Sequence, residues 1–135
     1  MVIKQFTLSK TERLTGEIRL NKLFAEGEAF IAYPLRVVYY LAEQKENDAS
    51  VKVLVSIPKK RFKRAVKRNR LKRLVREAYR LNKQPLHNVL SETPNTLYVG
   101  FMYVSNDEAD FATIEKKMKV ALQKIVEVLQ SSPIS

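Results

Sequence analysis

The chain has 135 residues, 45% of them hydrophobic and 29% charged, with no cysteine and a formal net charge of +11. That size supports one core, so a single domain over 1–135 is expected, with about 1–10 and 131–135 as flexible ends. Lack of cysteine excludes a disulfide framework and a thiolate metal centre, no apolar run approaches the length of a membrane span, and Met1–Phe6 lacks the apolar core of a secretory signal, so a cytoplasmic setting is expected.

A first helix is expected from about Thr15, whose hydroxyl can cap it. It runs through Ile18, Leu20, Leu23 and Phe24 to Gly27, which is placed to close it in a left-handed conformation. Phe30 to Leu41 is rich in β-branched and aromatic residues and reads as a strand, with Pro34 marking an edge, a bulge or a start. The polar run Glu43–Ser50, with Asn47-Asp48, reads as a hairpin turn into a second strand, Val51–Ile57, ended by Pro58. From about Lys63 to Asn82 the residues Leu71, Leu74, Val75, Ala78, Tyr79 and Leu81 fall within about 160° of a helical wheel. A short helix is placed near Leu86–Leu90. Thr96–Val104 is apolar on both faces and reads as a central strand. Asn106 or Asp107 then caps a last helix with Phe111, Ile114, Met118, Ala121, Leu122, Ile125, Val128 and Leu129 inward. The order α-β-β-α-β-α makes an α+β sandwich, helices packed on a small mixed sheet.

The charge is concentrated in one place. Lys59 to Lys83 holds 13 of the 25 basic residues and one of the 14 acidic ones, Glu77, while the rest of the chain is close to balance. On the long helix Asn69, Lys72, Arg73, Arg76 and Arg80 project within about 100° of one another, opposite the leucines, with Arg68 and Arg70 flanking them. A solvated helix face normally mixes its signs; this one sets like charges at i,i+4 (Arg68/Lys72, Lys72/Arg76, Arg76/Arg80), which destabilise a helix unless a partner neutralises them. The partner expected is a polyanion, and arginine forks suit phosphate oxygens. No free apolar face remains to insert into a membrane, so nucleic acid is favoured and no membrane partner is expected. The sheet aromatics Tyr33, Tyr39, Tyr40, Tyr98, Phe101 and Tyr103 divide by alternation between core and surface, and any exposed ring beside the basic helix could stack on unpaired bases. His87 is the only histidine and is read as a surface or helix-end residue. Asp107, Glu108 and Asp110 are read as helix N-terminal charges. No metal site and no catalytic residue is assigned, and the polypeptide alone is expected to be inactive.

The run Ala65-Val66-Lys67-Arg68-Asn69-Arg70-Leu71-Lys72-Arg73-Leu74-Val75-Arg76 resembles the signature of the bacterial ribonuclease P protein family. Ile57-Pro58-Lys59-Lys60 is similar to that family's strand end with paired lysines, and Arg13-Leu14 with Leu23-Phe24-Ala25-Glu26-Gly27 to its first helix. The resemblance implies an α/β sandwich with a left-handed βαβ crossover. It also implies partnership with a catalytic RNA subunit and removal of the 5′ leader of precursor tRNA, with Mg²⁺ held through the RNA and no cofactor bound by the protein. It assigns RNA contacts to Lys59, Lys60, Arg68, Asn69, Arg70, Lys72, Arg73 and Arg76, to which the basic run adds Arg64 and Arg80, and a leader-binding cleft to Phe24, with Tyr39 of the sheet expected beside it. Two positions depart from the pattern: Leu20 stands where an aromatic is common, and Arg61-Phe62-Lys63-Arg64 has no glycine. A structural ribosomal or assembly protein and a free-standing nuclease are the rival readings, and weak self-association is left open.

Overall fold

The computed structural model describes residues 12–43, 46 and 49–131. The expected end segments therefore lie outside the described residues, except Ser131, which closes the last helix. The elements are α1 (Glu17–Glu26), β1 (Glu28–Ala32), β2 (Leu35–Ala42), β3 (Val51–Ser56), α2 (Ala65–Asn82), α3 (Gln84–Ser91), β4 (Thr96–Tyr103) and α4 (Phe111–Ser131). The four strands form one mixed sheet in the order β1-β2-β4-β3.

Two expectations about strands are corrected. The run Phe30 to Leu41 is two strands, not one: the chain reverses at Tyr33-Pro34, a cis peptide, and β1 pairs antiparallel with β2 in register Phe30↔Val37. A proline without an N–H serves that reversal better than it serves a ladder. Glu43–Ser50 does not join a hairpin pair either. β4 lies between β2 and β3, antiparallel to the first and parallel to the second, with Val37↔Phe101 and Val55↔Phe101 in register. Asn47 and Asp48 lie outside the described residues. β3 and β4 are thus parallel neighbours joined through α2 and α3.

Alternation divides the sheet into two faces. Val37, Val53, Val55, Leu97, Val99, Phe101 and Tyr103 face one way and form the main core with Leu71, Val75, Tyr79, Leu86, Ile114, Met118 and Ile125 from α2, α3 and α4. Burial of such side chains, each contributing roughly 1.5–3 kcal/mol, holds the three helices on this face. β4 is buried along nearly its whole length, as its two-sided apolarity required. The other face is only partly covered. There α1 sits across β2 and β4, with Leu14, Leu23, Val38, Ala42 and Tyr98 buried in a smaller cluster that Leu20 flanks. Among the described residues, no helix is long and apolar enough to cross a membrane.

The helix ends differ from expectation in instructive ways. Thr15 offers no side-chain cap to α1; Gly16 stands at the N-cap with φ 96°, a left-handed geometry that favours glycine. Gly27 is extended, not left-handed. It is needed for close approach, because a Cβ there would lie 2.7 Å from the carbonyl oxygen of Tyr39 and 2.4 Å from that of Leu23. On α4 the cap is Asp110, whose Oδ1 accepts from the Thr113 N–H at 2.9 Å, rather than Asn106 or Asp107.

Candidate RNA interface

Helix α2 packs in the direction its sequence requires. Leu71, Val75, Ala78 and Tyr79 are fully buried, whereas Leu81, expected inward, is 49% exposed at the helix end. Tyr79 donates to or accepts from His87 Nε2 at 3.0 Å, so this histidine is half-buried structure rather than a surface group, and burial holds its pKa below the ordinary value with Lys83 adding to the effect. The same burial pushes the Tyr79 phenol upward.

The outward side carries the cations. Asn69 and Arg73 are exposed, and Lys72, Arg76 and Arg80 are half-buried along one flank. Among the described residues no carboxylate pairs with Arg64, Lys72, Arg73 or Arg76. Burial, and then the charge of Arg13, lower the pKa of Arg76 from the usual guanidinium value. Arg70 is different: its Nη1 lies 3.3 Å from Glu108 Oε1, and Lys67 Nζ lies 3.1 Å from Glu108 Oε2. Both contacts are on exposed side chains and are weak constraints.

Arg68 is committed to the protein. Its Nη1 donates to the carbonyl oxygens of Phe62 at 2.8 Å and Lys63 at 2.9 Å, bracing the loop that leads into α2. That loop needs no glycine. Pro58 O accepts from the N–H groups of Arg61 and Phe62, the Phe62 ring packs edge-on against Tyr103 with centroids 5.7 Å apart, and Arg61 Nη1 donates to Asn106 Oδ1 at 2.9 Å. Anchored in this way, the loop presents Lys59, Lys60 and Arg64 to solvent. The anchoring role of Phe62 was missed in the sequence; its signal was a lone aromatic inside a run of cations.

The leader-cleft assignments separate. Phe24 is 52% exposed on α1. Tyr39 points to the opposite side of the sheet, where its ring meets Phe30 edge-on at 6.0 Å and its hydroxyl reaches Glu28 Oε1 at 3.5 Å. The two aromatics therefore do not line one face. The α1 side of the sheet instead has a cross-strand row, Ile31, Arg36, Met102 and Ser56, with Ile31 and Arg36 exposed and the other two half-buried. Of the other sheet aromatics only Tyr33 is substantially exposed; Phe101, Tyr103 and Tyr98 are buried.

A network that sequence reading did not foresee fastens the start of α1 to the sheet. Glu46 accepts from Arg19 Nε and from the Tyr98 hydroxyl, both at 2.7 Å. Burial opposes the Glu46 charge, but these two donors outweigh it and leave the carboxyl below its ordinary range. Burial, then the bond to Glu46, push the Tyr98 phenol up to about 12.

In this α+β sandwich one helix carries a row of cations of which Lys72, Arg73 and Arg76 meet no carboxylate among the described residues, the arrangement expected of the class of proteins that dock on polyanions. The ribonuclease P family profile matches residues 8–126. A relative from Porphyromonas gingivalis, named ribonuclease P protein component, is 50% identical over 129 residues, covering 96% of this chain and 93% of that protein. One of the same name from Clostridioides difficile is 31% identical over 111 residues, covering 82% and 89%. The fold is shared with the ribonuclease P protein from Thermotoga maritima, TM-score 0.64 at 23% identity, covering 84% and 96% of the two chains. It is shared also with that from Staphylococcus aureus, TM-score 0.61 at 22% identity, covering 89% and 99%. The chain belongs to the ribonuclease P protein family, and its place is therefore in tRNA processing.

Proposed function

We propose that the chain is the cytoplasmic protein subunit of ribonuclease P and docks on the catalytic RNA through α2 and the loop before it. Lys59, Lys60, Arg64, Asn69, Lys72, Arg73, Arg76 and Arg80 supply the contacts; Arg70 joins them by exchanging Glu108 for phosphate. Arg68 holds the loop in place and offers its remaining N–H groups. The observation that carries this reading is the α2 flank, where Lys72, Arg73 and Arg76 share one side of a well-packed helix without a carboxylate among the described residues. Like charges so placed weaken the free helix and strengthen a complex with a phosphate backbone.

The 5′ leader of precursor tRNA would run over the half-open side of the sheet, past Phe24 and the row containing Arg36. Tyr39 has no direct part in that path. Hydrolysis belongs to the RNA subunit and its Mg²⁺: the single histidine is held by Tyr79, and the protein's contribution is charge screening and leader binding. Added protein is expected to raise cleavage of precursor tRNA by the cognate catalytic RNA at low Mg²⁺. Lack of stimulation at every Mg²⁺ level would remove the proposal in favour of a structural ribosomal role, and cleavage without RNA would favour a nuclease.

A further inference from the structure

The segment before α1 is tied down on both sides of one exposed arginine. Leu14 is 3% exposed in the smaller core, and its N–H donates to Val53 O at 2.9 Å. Glu12 Oε2 meets Lys83 Nζ at 2.8 Å, just beyond the end of α2, so the acid next to Arg13 in the chain is engaged by a lysine. Between them Arg13 forms a parallel bridge with Val53 on the free edge of β3. Bridged residues in register point to the same side of a sheet, and Val53 belongs to the α2 side. Arg13 is thereby directed towards the α2 flank while Leu14 turns the other way. It is exposed and meets no carboxylate among the described residues. The lowered pKa of Arg76, due first to burial and then to Arg13, is consistent with two guanidiniums that share a neighbourhood.

We infer that Arg13 and Arg76 form a two-sided clamp for a single backbone phosphate of the catalytic RNA, extending the α2 interface onto the edge segment 12–14. Two like charges presented on the same side of the sheet, one from the anchored edge segment and one from α2, cost stability in the free protein. A phosphate between them turns that repulsion into two charge-assisted interactions, and a planar fork is suited to each. The inference rests on the docking reading above and adds to it a residue outside the basic helix and a pairing within it.

The test is a double-mutant cycle of Arg13→Ala and Arg76→Ala in the full chain, with affinity for the catalytic RNA measured across salt concentrations and melting followed in parallel. Arg13→Ala is expected to weaken binding several-fold without lowering the melting temperature, while the slope of log affinity against log salt falls by less than the value of about 0.7–0.9 for one whole phosphate, which is lost only in the double variant. The double variant should lose less affinity than the product of the single losses, because one phosphate is shared. Arg13→Lys should keep the slope and lose part of the affinity. Unchanged affinity in Arg13→Ala, with Arg76→Ala and Arg73→Ala still impaired, overturns the clamp and leaves α2 docking intact. Strictly multiplicative losses also overturn it, by assigning each arginine its own phosphate. If none of the three variants alters RNA binding, the docking reading itself fails. A defect confined to precursor-tRNA binding by the assembled holoenzyme would move the phosphate to the substrate and overturn the assignment to the catalytic RNA.

Discussion

Helices α2 and α4 lie side by side on the same face of the sheet, and they spend their outer surfaces differently. α4, with 21 residues, carries four lysines and two glutamates and leaves Val120 53% exposed among them. α2, with 18 residues, carries seven cations and the single carboxylate Glu77. Their inner surfaces are alike, both built of buried apolar residues at helical spacing, with Tyr79 of α2 the one aromatic. Packing therefore cannot explain the charge on α2. The mixed surface of α4 is what solubility asks of a structural helix, and the unmixed surface of α2 is what the RNA docking proposed above accounts for.

The largest effect expected from either helix is on its inner side. Leu71→Ala should cost about 2–5 kcal/mol in denaturant unfolding, since it empties a fully buried position, and Ile125→Ala on α4 should cost a similar amount. Any large difference between them would break the equivalence of the two inner faces. On the outer side the helices should part. Replacing Lys72, Arg73 and Arg76 together by Ala should lower the salt slope of RNA binding by about 2–3 while melting holds or rises. Replacing Lys116, Lys117 and Lys119 on α4 should leave the slope nearly unchanged. Arg68→Ala should behave unlike its neighbours, with about 1 kcal/mol of stability lost as the loop loses its brace.

Smaller still is a pH effect at the end of α2. The folded pKa of His87 is depressed, first by burial and then by Lys83. Its contribution to stability is therefore complete above the ordinary histidine pKa of 6.5 and is lost as pH falls from there through the lowered folded value. A melting profile over that range should flatten in His87→Gln. Glu108→Gln should change stability by less than about 1 kcal/mol and should tighten RNA binding slightly, because Lys67 and Arg70 are then released to phosphate.

What the sequence revealed follows the range of the interactions involved. The inward set of α2, the central position of β4 and the inward residues Ile114, Met118 and Ile125 of α4 were legible, since each depends on periodicity within one segment. The pairing of β2 with β4 was not, because residues Leu35 and Tyr103 are far apart in the chain and no local pattern records their register. Gly27 was recognised as a helix-end glycine but for the wrong reason: its need is the neighbouring carbonyl of Tyr39, a tertiary contact. Tyr39 was misplaced by the same kind of error, since its side of the sheet is fixed by where β2 pairs rather than by its aromatic neighbours. The basic stripe was readable from charge alone, whereas the commitment of Arg68 to two backbone carbonyls needed the fold of the preceding loop.

The insertion of β4 between β2 and β3 also bears on how the molecule is made. A nascent chain emerging from the ribosome can close the β1–β2 hairpin early, but β3 has no strand to pair with until Thr96–Tyr103 has been synthesised. The arginine-rich helix is thus born before its seat exists, with its leucines bare and its charge already on offer. Translation past β4 and then α4 is what gives the cationic helix its seat, and on the docking proposed above RNA capture before that point would engage charge without geometry.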